Sequence, residues 1–100
     1  MIQHTVAFRL VHAADSPEEA EFLADARRTL TAVPGVQDFT VSRQVSAKSP
    51  LSFQFSMVFD DEAAYAAYDA HPAHRSFVAD RWTSEVAEFQ ELDLVPLAAD

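Results

Sequence analysis

Cysteine is absent from this chain and glycine occurs once, at position 35. Without cysteine there can be no disulfide, no thiolate metal site and no cysteine nucleophile, although the redox compartment stays open. Basic residues are scarce: seven Lys and Arg face sixteen Asp and Glu, for a formal net charge of −9. Nucleic-acid affinity comes mainly from neutralising phosphates with Lys and Arg, so that partner class is excluded. Anionic membrane surfaces are disfavoured for the same reason, and the acidity reads as a device for solubility. No apolar run approaches the length of a membrane span. Met1 to Leu10 carries Gln3, His4 and Arg9 in place of a signal-peptide pattern. The expectation is a soluble, cytoplasmic protein. Repeats, low-complexity tracts and linkers are also missing, so residues 1–100 read as one domain with its core over about 2–97.

A hydrophobic share of 49% argues for a packed globule. A chain of this length buries roughly 60–70% of its unfolded surface, enough for one modest core. Residues 2–10 alternate, with Ile2, His4, Val6, Phe8 and Leu10 on one side, the period of a half-buried strand. Ser16-Pro17-Glu18-Glu19 combines an N-cap, a proline at the first helical position and a glutamate three residues after the cap. A helix follows, with Phe22, Leu23, Ala26, Leu30 and Val33 at helical spacing, until Pro34-Gly35 stops it. Val36 to Val45 reads as a second strand with Phe39, Val41 and Val45 on its apolar side. Leu51 to Phe59 reads as a third, with Phe53, Phe55, Met57 and Phe59 inward. Asp60 and Asp61 suit the start of a helix that ends near His71-Pro72. A further helix is predicted from about Ala73 to Phe89, and a short last strand over Glu91 to Leu97.

This order predicts an α+β fold: a ferredoxin-like, antiparallel four-stranded sheet with helices on one face. The other face, carrying Thr5, Ala7, Thr40, Ser42, Ser56 and Val58, is small and mixed in polarity, fit either for solvent or for a second sheet.

Three segments, His4-Thr5-Val6-Ala7-Phe8-Arg9, Val33-Pro34-Gly35-Val36 and Tyr68-Asp69-Ala70-His71-Pro72-Ala73-His74 with Phe77-Val78, resemble the stress-responsive A/B barrel (Dabb) family. The resemblance implies a homodimer whose two sheets face each other and close a dimeric α/β barrel, with helices outside. The family's functions are diverse and mostly unassigned. One plant member is a polyketide cyclase that closes a ring by aldol condensation without metal or organic cofactor. Its helix-turn Tyr and His match Tyr68 and His74, and its strand-one His matches His4. A further His of that enzyme falls at Phe53 here, a departure that removes a polar group from the pocket.

The candidate catalytic residues are therefore His4, Tyr68 and His74. A neutral histidine is a suitable general base near pH 7, and a tyrosine hydroxyl can donate to an enolate oxygen. Phe53, Phe55, His71, Phe77, Trp82 and Phe89 are the candidate walls of a pocket for a hydrophobic carbonyl compound. An architectural reading stands beside this one: His4 as a satisfied core histidine, Tyr68 as core, His71 as a helix stop before Pro72. The His71-x-x-His74 spacing suits two metal ligands, but Pro72 breaks the helical face between them, so no metal site is expected. Nor is a cofactor; no residue pattern for haem is present. Glu88, Glu91 and Asp93 read as solvated. Whether the protein is an enzyme, a binder or a non-catalytic dimer module is left open at this level.

Overall fold

In the computed structural model, which describes residues 1–98, four strands and five helical segments make up the fold. Strand β1 (Ile2–Leu10) is followed by helix α1 (Pro17–Thr31) and the strands β2 (Gln37–Arg43) and β3 (Phe53–Phe59). Helices α2 (Glu62–Ala70) and α3 (Pro72–Phe77), a π-helical turn (Val78–Trp82) and the single turn α4 (Thr83–Glu85) lead into β4 (Val86–Leu94). The sheet order is β2-β3-β1-β4 and all neighbours are antiparallel. This is the expected ferredoxin-like arrangement. The last two positions of the expected 1–100 domain lie outside the described residues.

Alternation in β1 and β3 places two apolar rows side by side. Val6 pairs with Phe55 and Phe8 with Phe53, so their side chains share the face that the helices cover. Phe8 is fully buried, with its ring 4.6 Å from Phe55, 5.2 Å from Trp82 and 6.0 Å from Phe22 of α1. Truncating such a residue costs about 3–5 kcal/mol, because the cavity left cannot collapse. The caps of α1 form as predicted: the Ser16 hydroxyl accepts from the Glu19 amide at 3.2 Å, and Pro17 opens the helix. Gly35 takes a left-handed φ of 92° between α1 and β2, where a side chain would be strained. In α2, Asp61 is the N-cap and accepts from the Ala64 amide at 2.8 Å.

Two expectations are corrected. Strand β2 ends at Arg43, so Val45 does not reach the apolar side but lies 87% exposed. More consequentially, the long helix expected over 73–89 ends at Glu85, and β4 begins at Val86. The free edge of β1 decides this. The alternate residues of β1 whose N–H and C=O point to that side need partners, and Val86 to Leu94 supply them, through a register running from Gln3 opposite Leu94 to Leu10 opposite Val86. Phe89 therefore stands on a strand opposite Phe8.

The π-helical turn closes with the Thr83 amide donating to the Val78 carbonyl, five residues back. Val78, Trp82 and Thr83 of this region line the cavity described below, while Arg81 reaches α1. Arg81 donates to Glu85 from Nε at 2.8 Å and from Nη2 at 3.1 Å, and to Asp25 of α1 at 3.2 Å. His12 holds the same Glu85 carboxylate at 2.7 Å. The hydrogen bond from Arg81 is the main reason the Glu85 carboxyl sits below the usual carboxylate range. Among the described residues no helix is long and apolar enough to cross a membrane.

Candidate functional site

Between the helix-covered face of the sheet and the segment from Tyr68 to Thr83 lies a cavity of about 470 Å³. Most of its wall is apolar: Val6, Phe55 and Met57 from the sheet, Leu30 from α1, and Phe77, Val78 and Trp82 from the helical layer. Phe89 closes one end, half exposed, with its ring edge-on to Trp82 at 5.6 Å. Of the candidate walls, Phe55, Phe77, Trp82 and Phe89 line this space and two residues do not. Phe53 lies toward the other end of β3, 5.8 Å from Phe8 and beneath the Arg43 guanidinium. His71 is spent on the backbone: its Nδ1 accepts from the Ala73 amide at 3.1 Å and caps α3. Pro72 at the first helical position then restarts the helix in a new direction.

That turn at Pro72 brings Tyr68 and His74 together, their ring centroids 4.5 Å apart. Nδ1 of His74 faces the Asp69 carbonyl at 3.0 Å, so it is the protonated nitrogen of the neutral ring. Tyr68 is 2% exposed, yet its hydroxyl makes no hydrogen bond among the described residues. No buried side-chain nitrogen or oxygen there lacks a partner, so the hydroxyl must open into the cavity. Burial above all, then the charges of Asp69 and Glu91, push this phenol above its ordinary range and keep it a proton donor.

His4 stands on the same face of β1, with its ring 6.1 Å from Tyr68. It is buried, and its Nδ1 lies 2.6 Å from Oδ1 of Asp93, the residue directly opposite on β4. Tyr65, one helical turn before Tyr68, places its hydroxyl 2.9 Å from the second Asp93 oxygen and 3.0 Å from His4 Nδ1. The carboxylate accepts from both groups. Nδ1 of His4 thus carries the proton and Nε2 is left without a protein partner, and the same accounting as for Tyr68 opens it to the cavity. The Tyr65 hydroxyl is raised by burial and by its bond to Asp93, so it too remains a donor.

The three candidates from sequence, His4, Tyr68 and His74, therefore converge on one cavity. Asp93 and Tyr65 complete the cluster and were missed. Asp93 sits between Leu92 and Leu94, where alternation alone does not tell which face meets the helices. In the structure the two leucines pair with Thr5 and Gln3 and lie on the uncovered face, 53% and 46% exposed. Asp93, opposite His4, therefore faces the helices instead of standing as a plain solvated charge. The strand register was the missing signal. Among the described residues no three His, Asp or Glu side chains converge as a metal-binding group.

The stress responsive A/B barrel domain model matches residues 2–96. A Dabb family protein with a ferredoxin-like fold from Mesorhizobium loti is 52% identical over 97% of both chains, with a TM-score of 0.96. A dimeric ferredoxin-like protein of unknown function from Thermobifida fusca superposes with a TM-score of 0.74 at 21% identity, over 95% of this chain and 90% of its own. A hydroxynitrile lyase from Passiflora edulis superposes with a TM-score of 0.84 at 10% identity, over 99% of this chain and 95% of its own. The latter two likenesses are of fold alone. No curated protein matches. Matched along almost its whole length by the family model, and more than half identical to a structure from the same family, the chain belongs to the stress responsive A/B barrel domain family.

Proposed function

We propose that this protein is a homodimer whose cavity receives a hydrophobic carbonyl compound and moves a proton at the carbon next to that carbonyl. The observation that carries this reading is the pairing pattern of His4. Asp93 takes Nδ1, leaving Nε2 as a free base in an apolar cavity that the Tyr68 hydroxyl also enters. In the reaction, Nε2 accepts a proton from carbon and becomes imidazolium, which the Asp93 carboxylate stabilises. The electron pair released moves onto the carbonyl oxygen, where the Tyr68 O–H donates to the enolate. No metal or organic cofactor enters these steps. His74, beside Tyr68, is the second polar group that orients the bound molecule. The same fold hosts a hydroxynitrile lyase in Passiflora edulis.

Dimerisation is supported by the uncovered sheet face. Leu92 and Leu94 lie there, about half exposed, beside Val58 and the polar Thr5 and Gln3, and a second sheet would cover the two leucines. The dimeric relative from Thermobifida fusca shares the fold.

The test is hydrogen exchange at carbon. Acetophenone and benzoylacetone are incubated with the protein in D2O, and deuterium uptake next to the carbonyl is read by mass spectrometry. The wild-type protein is expected to accelerate uptake. His4→Gln and Tyr68→Phe should each lower it by roughly 10²-fold or more, the usual weight of a positioned acid or base. Absence of acceleration, together with unmoved Tyr68 and His74 NMR resonances, would reject this reading.

A further inference from the structure

The polar part of the cavity wall has one sign. Asp69 at the end of α2 and Glu91 on β4 both line it, and among the described residues no lysine or arginine does. The two histidines do not reverse this balance even when protonated. His4 is matched by Asp93 at 2.6 Å, and His74 has Asp69 beside it, with its Nδ1 3.9 Å from the carboxylate. Glu91 remains over. It faces the helices opposite Val6 and forms no ion pair among the described residues. Both carboxylates line the same cavity as Tyr68, and after burial their charges help hold its hydroxyl above the ordinary phenol range.

We infer that the cavity discriminates by charge: it takes uncharged or amine-bearing apolar molecules and rejects carboxylates, with Glu91 as the residue that sets the preference. The inference rests on the proposed ligand cavity and specifies the chemical class of what fills it. A carboxylate tail would lie near an unpaired like charge at the edge of a low-dielectric wall, whereas an ammonium group would gain what the acid loses. At a few ångströms and near-aqueous screening, each such interaction is worth about threefold in affinity, so amine and acid should differ by about tenfold.

Three probes of similar shape test this: naphthylethylamine, naphthylethanol and naphthylacetate. Each is titrated into the wild-type protein and into Glu91→Gln, with binding followed at the Tyr68 and His74 resonances by NMR. Glu91 is exposed on β4, so its exchange for glutamine leaves the core packing untouched. The expected order is amine tightest and acetate weakest, and the roughly tenfold amine-to-acetate gap should nearly close in Glu91→Gln and shrink in the wild type at raised salt. Equal binding of amine and acetate, or a gap that Glu91→Gln leaves unchanged, would overturn the charge rule while leaving the cavity reading in place. If none of the three moves those resonances, the ligand cavity itself is refuted and this inference falls with it.

Discussion

Asp93 is the residue on which the site turns. A single carboxylate accepts from the His4 ring and from the Tyr65 hydroxyl, so it fixes both the tautomer and the orientation of the imidazole. Tyr65→Phe removes one of these donors without emptying the space its ring fills against Phe59, 5.2 Å away. The loss should cost about 1 kcal/mol of stability in urea unfolding, the usual net value of one such hydrogen bond. It should also free the Asp93 carboxylate to rotate, and the His4 ring nitrogens should then show mixed tautomers by nitrogen NMR. A variant as stable as the wild type with a single unchanged tautomer would mean that Tyr65 has no part in holding His4. The histidines and Tyr68 could be named from the chain because they match residues of a family member that the chain resembles. Tyr65 could not, since an aromatic residue in an alanine-rich helix looks the same whether it packs or donates.

The π-helical turn and the short α4 behind it are held by charge as well as by the packing of Trp82 against Phe8 and Phe89. Val78–Trp82 contains no fully buried residue, and Arg81 ties the turn to α1 through Asp25 and to α4 through Glu85. Because Glu85 has a lower pKa folded than unfolded, its protonation favours the unfolded chain. The stability it contributes is complete above the ordinary carboxylate range and is lost as the pH falls through the depressed folded value. Glu85→Gln should therefore be less stable than wild type near neutral pH, by about 1 kcal/mol for a largely covered, bidentate pair. The difference should shrink toward zero on acidification. Denaturant melts at a series of pH values read this directly, and a difference independent of pH would show that the pair is not the cause. The helix boundary here was the least legible part of the chain. Phe77, Val78, Trp82, Val86 and Phe89 satisfy helical spacing, but the hydrogen-bonding demand of β1 overrides that pattern after Glu85.

On the scale of the whole molecule, the uncovered face of the sheet remains to be accounted for. Leu92 and Leu94 are about half exposed on it, and a partner sheet would remove both from water. The paired substitution Leu92→Asp and Leu94→Asp should convert a dimer into a monomer in sedimentation velocity at micromolar concentration. Secondary structure should survive, because neither side chain faces the helix-covered core. A wild-type chain that sediments as a monomer throughout that range would reject the dimer.

Local order could be read from residues that act on their own neighbours. The cap at Ser16, the stop at Pro34-Gly35, the alternation of β1 and β3 and the helix break at Pro72 each depend on backbone torsions or side-chain period within a few positions. Those features were sufficient to predict the ferredoxin-like order, whereas His4, Tyr68 and His74 were nominated through the resemblance to the family. The pairing of His4 with Asp93, the start of β4 at Val86 and the withdrawal of Phe53 and His71 from the cavity depend on contacts between distant parts of the chain. His4 and Asp93 are 89 positions apart. They meet because β4 closes the free edge of β1, and a one-residue slip of that register would turn Asp93 to the opposite face.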